Sequence, residues 1–263
     1  MKPSMNCTTV RTIRGYGWLP DLPDQRDHQY AAPRRVLAKL PPKADLRPGC
    51  PPVYDQGQLG SCTANAIGAA HQFEQLRQEA DKAFAPSRLF IYYNERAIEH
   101  TVDTDSGAMI RDGIKSVVKQ GVCPETMWPY QIDAFTRRPT APCYRTALAH
   151  QVVSYQRLTP DLDQMKGCLA DGYPFVFGFS VYESFETSAV ARTGVVPLPK
   201  AGERVLGGHA VLAVGYDDAA QRFLVRNSWG DKWGKKGYCL MPYAYFTTPG
   251  LASDFWTIRM VEV

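Results

Sequence analysis

The sequence predicts an α+β fold with two lobes and a cleft between them. Helix-forming patterns occupy the first half of the 263-residue chain. Short aromatic or β-branched segments, bounded by glycine and aspartate turns, occupy the second half. Elements that segregate in this way indicate a helical part and a sheet part rather than alternating βαβ units. The chain is long enough for two lobes with their own cores.

Three helices are predicted in the first half. The first follows Ser61, which can cap it, and places apolar or small residues at three- and four-residue steps over 62–76. The second covers about 86–97, and the third covers about 108–119 and ends at Gly121. Because the first helix is rich in alanine and glycine, its neighbours can approach it closely. We therefore place it at the centre of the helical lobe.

Four strands are predicted in the second half, at residues 175–182, 209–216, 222–229 and 237–243. The segment DDAAQ between the second and the third reads as a hairpin turn at Asp218. Antiparallel pairing about that residue places Gly215 opposite Gln221 and His209 opposite Asn227. Opposite residues lie about 4.5–5.5 Å apart, so a His–Asn side-chain pair is predicted on one face. A bulge would shift this register by one residue.

An imidazole beside a carboxamide suits acid–base chemistry. The amide oxygen of Asn227 would fix the tautomer of His209, which leaves the other ring nitrogen to exchange a proton with a nucleophile. Cys62 is the candidate, because it stands at the first turn of the first predicted helix. The helix dipole and an imidazolium can lower a thiol pKa from about 8.5 to about 3.5. The Cys62 N–H and the Gln56 amide are candidate donors to an oxyanion.

Three blocks of this sequence resemble those of a known family. QGQLGSC (56–62), GGHAVLAVGY (207–216) and VRNSWGDKWGKKGYCL (225–240) are similar to the cysteine, histidine and asparagine blocks of the papain family of cysteine peptidases. The resemblance covers about 40–263. It implies a helical left lobe, an antiparallel β-barrel-like right lobe and an active site in the cleft between them.

The same resemblance implies roles for individual residues. Cys62 is the nucleophile, His209 the acid and base, Asn227 the residue that orients the ring, and Gln56 the oxyanion donor. Six substrate-binding residues are implied, which are Gly107, Ala108, Met109, Gly208, Ala210 and Trp229.

Within this set the implied tasks differ. The backbone of Gly107 pairs with an extended substrate, and Trp229 shields the His–Asn contact from water. Ala108, Met109 and Ala210 line the main specificity pocket, which favours an apolar side chain. At position 208 the glycine lacks any side chain that the family places before the histidine.

The sequence departs from the family pattern beside the nucleophile. Thr63 follows the cysteine where the family has tryptophan, and Leu59 stands where the family has another cysteine. The family's disulfide framework is therefore not transferred to this chain. Cys123 and Cys143 flank one loop, and we predict that they form a disulfide of their own.

Residues 1–39 are expected to form a leader ahead of a peptidase domain at 40–263. The leader is rich in proline, aromatic and charged residues, so it reads as an extended segment rather than a helix. It is shorter than the helical prodomain typical of the family and resembles the short leader of some bacterial members. Our hypothesis is that it lies over or beside the cleft and restrains activity.

The function predicted is a cysteine endopeptidase that acts on polypeptides through an acyl-enzyme thioester, with no metal or organic cofactor. Epoxide-type and cystatin-like inhibitors are expected to bind, and the chain is expected to be a monomer. A net charge of +4 without a basic block argues against nucleic-acid partners, and no apolar run is long enough for a membrane span. The alternatives are an acyl transferase on the same scaffold and a non-catalytic peptide-binding module. No signal peptide is visible, and the compartment stays open between secreted, periplasmic and cytoplasmic.

Overall fold

The computed structural model describes residues 16–263, and these form an α+β fold, as predicted. The helices in this part are α1 (Arg34–Leu37), α2 (Cys62–Glu79), α3 (Arg88–Ile98), α4 (Ile110–Gln120), α5 (Ala141–Ala147), α6 (Leu162–Ala170), α7 (Ser188–Thr193) and α8 (Tyr243–Thr247). The strands are β1 (Trp18–Leu19), β2 (Lys43–Asp45), β3 (Ala108–Met109), β4 (Val152–Arg157), β5 (Phe175–Tyr182), β6 (Val205–Asp217), β7 (Arg222–Arg226), β8 (Tyr238–Pro242) and β9 (Ala252–Val261).

The three predicted helices are α2, α3 and α4. Ser87 caps α3, because its hydroxyl accepts a hydrogen bond from the third backbone N–H of the helix at 3.1 Å. Gly121 ends α4 with a φ of 67°. The predicted cap of α2 is wrong: the Ser61 hydroxyl lies 2.5 Å from the hydroxyl of Tyr130 and accepts from the amide of Asn65 instead.

The sheet is antiparallel and open. Its strand order is β4-β9-β5-β6-β7-β8, and β2 adds a further strand on β6. The barrel-like lobe implied by the resemblance is therefore a seven-stranded sheet that does not close. The strand predicted at 175–182 matches β5, whereas β4 and β9 were not predicted from the sequence.

The register of the β6–β7 hairpin differs from the predicted one. Asp217 pairs with Arg222, so the connection is a four-residue loop instead of a turn centred on Asp218. Gly215 faces Leu224, and the predicted pairing with Gln221 is wrong. The ladder shifts again between residues 213 and 215. The loop and the irregularity together move every cross-strand pair away from the simple count.

Two apolar clusters form the cores of the two lobes. One joins α2, α3 and α4 to the sheet and includes Ile67, Ile114 and Trp256. The other lies on the opposite side of the sheet and is mostly aromatic, with Phe177 and Phe246 at 4.7 Å between ring centroids. The cleft follows the line where the beginning of α2 meets β6. In the described part of the chain, no helix is both long and apolar enough to cross a membrane.

The predicted leader divides into two parts. Residues 20–39 are built into the body of the protein, since Tyr30 and Ala32 are buried in the aromatic core. Residues 16–19 leave that anchored part and cross the cleft as β1. Residues 1–15 of the predicted leader lie outside the described residues.

The predicted disulfide is not formed. Cys123 and Cys143 are both buried free thiols. The two cysteines nevertheless interact. Burial raises the pKa of Cys123 most, and the neighbouring Cys143 raises it further through its charge and a hydrogen bond. The Cys143 sulfur lies 3.2 Å from the hydroxyl of Thr140. Both thiols therefore lie within the apolar core of the helical lobe.

Candidate active site

The structure brings His209 and Asn227 together although they are not opposite residues of the ladder. His209 lies on β6 and Asn227 is the first residue after β7. The Nε2–H of His209 donates to the Oδ1 of Asn227 at 2.8 Å, and the backbone N–H of Ser228 donates to the same oxygen at 2.8 Å. Trp229 stacks on the imidazole with ring centroids 5.0 Å apart. The ring is thus held in one orientation and covered on one face.

Cys62 opens α2 and lies next to the histidine strand. Its side chain is fully buried, and burial raises the pKa of the thiol to about 12. Backbone hydrogen bonds from Ala210, Gly17 and Thr63 lower that pKa in part, and the carboxyl group of Glu95 raises it. The lowered pKa expected from the sequence is therefore wrong for this state, because the loss of solvent outweighs the helix dipole and the N–H donors.

Gln56 is buried beside the nucleophile loop. Its Nε2 donates to the carbonyl of Leu59 at 3.0 Å, and its Oε1 accepts from the hydroxyl of Ser228 at 2.6 Å. Ser228 thereby links Gln56 to the segment that carries Asn227. The amide nitrogen of Gln56 has two protons, and the contact with Leu59 uses one of them. The second N–H can donate to an oxyanion.

Thr63 has its own role at the position where the family has tryptophan. Its hydroxyl donates to the Oε1 of Glu95 at 2.6 Å, deep inside the helical lobe. Burial raises the pKa of Glu95 well above its usual value.

The backbone of the leader crosses the cleft at Cys62. The carbonyl of Gly17 accepts from the N–H of Ala108 at 2.8 Å, and β1 runs parallel to β3. A Cβ on Gly107 would lie 2.3 Å from the Gly17 carbonyl oxygen, and one on Gly17 would lie 1.6 Å from that of Gly60. These contacts are possible only for glycine, so the leader and the cleft fit each other at the backbone level.

The side chain of Trp18 fills a pocket beside the nucleophile. Its ring lies against Gly178 and Gly208, where an added Cβ would come within 1.9 Å and 2.6 Å of ring atoms. Its indole N–H donates to the Oδ2 of Asp254 at 3.2 Å. The indole is thus both enclosed and hydrogen-bonded.

Tyr16 lies beside the imidazole of His209. Its ring centroid is 6.1 Å from that of His209, with an edge-to-face arrangement. Its hydroxyl donates to the carboxylate of Glu186. Burial, followed by this hydrogen bond and the charge of Glu186, raises the pKa of Tyr16. Tyr16 and Trp18 therefore flank the point where Gly17 meets the sulfur.

The substrate-binding residues implied by the resemblance all lie along this path. Ala108 and Met109 form β3 and pair with the leader strand. Ala210 contributes its backbone N–H to the Cys62 sulfur, and Gly208 forms a wall against Trp18. The pocket that holds Trp18 is not lined by apolar groups alone, because the carboxylate of Asp254 forms part of it.

Two residues of this pocket escaped the sequence analysis. Gly178 interrupts the apolar strand FVFGFSVY, and a glycine inside a strand marks a close approach of another group. Asp254 is an isolated acid between Ser253 and the aromatic pair that follows it. The glycine was a usable signal, whereas the position of Asp254 depends on how β9 pairs with β5.

A buried ionic cluster anchors the leader behind the cleft. Both oxygens of Asp27 accept from the guanidinium of Arg111, at 3.0 Å and 2.6 Å. Arg157 donates to Asp27 at 2.9 Å and to Asp254 at 2.8 Å. Among the described residues, no group of three or more histidine, cysteine or acidic side chains is placed to hold a metal ion.

Comparison with known proteins agrees with this geometry. The model of the family described as "Papain family cysteine protease" matches residues 40–256. An uncharacterized peptidase C1-like protein, L477, of Acanthamoeba polyphaga mimivirus is 43% identical over an alignment 281 residues long. The alignment covers 98% of this chain and 90% of that protein. Xylellain, a cysteine protease from Xylella fastidiosa, is 48% identical with a TM-score of 0.90 and covers 95% of this chain and 97% of its own. A Carica candamarcensis cysteine protease in complex with E-64 shares the fold at 19% identity, with a TM-score of 0.63 over 84% of this chain and 99% of its own.

Proposed function

The chain belongs to the papain family of cysteine proteases, and we propose that it is an endopeptidase whose own residues 16–19 restrain it. Its fold is that of the family, and the protein is a hydrolase. We further propose roles for single residues, cleavage of internal peptide bonds and restraint by the leader.

The proposed reaction uses four groups. The thiolate of Cys62 attacks the scissile carbonyl, and His209 then protonates the leaving amine. Neutral His209 activates a water molecule, which hydrolyses the thioester. The Cys62 N–H and the Gln56 amide stabilise each oxyanion, and Asn227 orients the ring through the 2.8 Å hydrogen bond.

One observation carries the proposed restraint. Gly17 offers its N–H to the Cys62 sulfur, while its carbonyl oxygen is bonded to Ala108. The nucleophile therefore faces a hydrogen-bond donor instead of an electrophilic carbonyl carbon. A segment bound in this way occupies the cleft without being cleaved, and it removes the water that a thiolate requires.

The test compares the full chain with a chain that lacks residues 1–19. Deleting all of 1–39 would expose the core around Tyr30 and leave Arg111 without Asp27, so the shorter deletion is the better probe. We expect the shortened chain to cleave a fluorogenic peptide and to react with E-64 at Cys62, while the full chain does both slowly. Cys62→Ala in the shortened chain is the control and should abolish both.

The pH dependence of thiol alkylation gives a second measurement. In the full chain Cys62 should alkylate slowly at neutral pH, since burial raises its pKa to about 12. Solvent returns to the sulfur when residues 1–19 are removed, so the pKa should fall towards about 8.5, the value of a free thiol. The helix dipole and an imidazolium at His209 should then lower it further. Identical rates and identical pH profiles for the two chains would discard the restraint.

The same experiment decides between the alternatives. An acyl transferase would transfer the acyl group to an added amine in preference to water, which product analysis by mass spectrometry detects. A non-catalytic binding module would neither react with E-64 nor cleave any peptide after residues 1–19 are removed. Polypeptides are the proposed substrates, and epoxide-type and cystatin-like inhibitors are proposed to bind the same cleft.

A further inference from the structure

We propose that the pocket now filled by Trp18 is a substrate pocket selective for a tryptophan side chain, and that Asp254 reads the indole N–H. This inference rests on the proposed function, because it assumes that a substrate crosses the cleft where the leader does. It names a substrate class for the same site.

The walls of the pocket are shaped for a large flat ring. Added Cβ atoms on Gly178 and Gly208 would lie 1.9 Å and 2.6 Å from atoms of the Trp18 ring. Neither glycine has a positive φ, so the backbone conformation of these strands does not require glycine. What requires it is the space for the ring. Leucine would leave a cavity there, whereas an indole fills it.

The polar end of the pocket is Asp254. Its Oδ1 accepts from Arg157 at 2.8 Å, and its Oδ2 accepts from the indole of Trp18 at 3.2 Å and from the backbone N–H of Asp21 at 2.8 Å. The carboxylate is almost fully buried, and its residue has a φ of 56°, which is uncommon for a residue other than glycine. Of the two partners of Oδ2, Trp18 belongs to the segment at 16–19 that crosses the cleft, whereas Asp21 belongs to the anchored part of the leader.

Displacement of the leader therefore leaves one specific vacancy. Oδ2 loses the indole N–H of Trp18 while the N–H of the anchored Asp21 and the guanidinium of Arg157 stay in place, and a buried lone pair that loses its donor is costly. A tryptophan restores the ring contacts and one N–H, whereas phenylalanine restores only the contacts. Arg157 is shared between Asp254 and Asp27, so an arginine of the substrate is the competing side chain that the substrate test has to include.

The first test measures binding in the full chain and needs no activity. Trp18→Gly empties the pocket, and indole or indene is then added as a ligand, since the two have the same shape but only indole has an N–H. We expect indole to raise the melting temperature at concentrations at least about fivefold lower than indene. Gly178→Ala in the same background should remove binding of both, because its Cβ would occupy the ring's place, 1.9 Å from the nearest ring atom of Trp18.

Asp254→Gly in the Trp18→Gly chain separates shape from hydrogen bonding. Glycine tolerates the φ of 56°, so the backbone is kept while the acceptor is lost. Indole and indene should then bind equally. Asp163→Asn, an exposed acid at the start of α6, is the matched control and should leave the preference for indole intact. Equal binding of the two ligands with Asp254 present would overturn the proposal.

A second set of variants covers the case in which Trp18→Gly fails to fold. Trp18→Phe fits the same pocket without an N–H, so it should lower the melting temperature of the full chain. In an Asp254→Gly background that loss should shrink to the difference in ring size. The same loss in both backgrounds would show that Asp254 does not read the N–H.

The last test uses substrates. Blocked fluorogenic peptides that differ only in the residue before the one at the scissile bond, as Trp, Phe, Leu or Arg, are offered to the chain without residues 1–19. We expect kcat/KM for Trp to exceed that for Phe at least about fivefold, and Asp254→Gly to bring the ratio near one. Cleavage and E-64 labelling with Phe, Leu or Arg preferred would overturn this inference and leave the proposed function standing. No cleavage and no labelling would overturn the proposed function, while indole binding still decides the chemistry of the pocket.

Discussion

The side chains proposed for catalysis are joined by one chain of hydrogen bonds. Asn227 accepts from both His209 and the backbone of Ser228, and Ser228 in turn donates to Gln56. One short segment after β7 thus contacts both the proposed acid–base residue and the proposed oxyanion donor. A disturbance of this segment is expected to change the chemistry of both groups at once.

Asn227→Ala should reduce kcat/KM of the chain without residues 1–19 by at least about tenfold, because the imidazole loses the acceptor that orients it. General acid–base catalysis contributes about 10²–10⁴-fold in total, which bounds the loss. Steady-state kinetics and a melting curve measure the effect. Asn94→Ala is the control, since Asn94 is equally buried but bonds to Phe90 and Tyr144. Equal kinetic losses in the two variants would contradict the orienting role.

His71 makes the stability depend on pH. It is fully buried, its Nε2 lies 3.1 Å from the carbonyl of His150, and burial lowers its pKa from 6.5 to about 4. The unfolded chain therefore binds more protons between these values, so the stability is present above pH 6.5 and is lost as the pH falls towards 4. At about 1.36 kcal/mol per pKa unit, the loss is about 3 kcal/mol.

His71→Gln keeps a donor for the carbonyl but does not titrate. Its free energy of unfolding, from urea titrations at pH 7 and pH 4.5, should therefore fall less than that of the unaltered chain. His28→Gln, at an exposed position, serves as the control. A pH dependence that is the same in all three chains would refute the assignment to His71.

Helix ends show how far local sequence signals reach. Ser87 and Ser61 both precede a helix in the sequence, yet only Ser87 caps one. Ser61 instead meets Tyr130, a residue from a distant loop that no local pattern connects to it. Tertiary contacts therefore decide between two residues that are equivalent by local rules.

Ser87→Ala should lower the free energy of unfolding by about 2 kcal/mol, which is the upper range for a cap. The hydroxyl is buried and also donates to the carbonyl of Trp128 at 2.7 Å, so its loss leaves a second buried group unpaired. Asp161→Ala removes the cap of α6 at an exposed site and should cost only about 1 kcal/mol. Urea denaturation measures both, and a smaller effect at Ser87 than at Asp161 would contradict the argument.

Whether a segment forms a helix or a strand was predictable where its apolar residues recur at a regular spacing. The pairing of the strands was not predictable. The apolar run of β5 and the amphipathic α4 follow directly from residue spacing. The β6–β7 register failed because a four-residue loop and an irregular ladder are set by packing. Each of the three blocks that resemble the family was readable, because the residues within one block are close in sequence. The Trp18 pocket was not, because it joins the leader to three separate strands.

On the scale of the whole molecule, the leader is both a structural element and an occupant of the cleft. Backbone hydrogen bonds of 2.7 Å join Arg157 to His28 and Tyr30, so this part extends the edge of the sheet. The cluster of Asp27, Arg111 and Arg157 fixes it further. The segment at 16–19 depends on that anchor for its position.

Asp27→Asn should therefore raise the basal peptidase activity of the full chain. The variant leaves Arg111 buried without a charged partner, and breaking such a pair destabilises by about 3–5 kcal/mol. Each 1.4 kcal/mol of that loss that falls on leader docking increases the open fraction about tenfold. Initial rates on a fluorogenic peptide should rise at least about tenfold. Asp24→Asn, which loses its ion pairs with the exposed Arg26 and Lys115, should leave the rate unchanged; equal rates for the two variants would contradict the restraint by the leader.

Because Trp18 and its anchor at Asp27 belong to one chain joined by a short tether, the blocking group is always present at a fixed local concentration. For a short flexible link such an effective concentration is in the millimolar range. Under the proposed restraint, dilution of the protein should therefore not relieve inhibition, and specific activity is expected to stay constant over any practical range of enzyme concentration. A peptide with the same affinity for the cleft as the segment should compete only when it exceeds that local concentration or when the tether is cut.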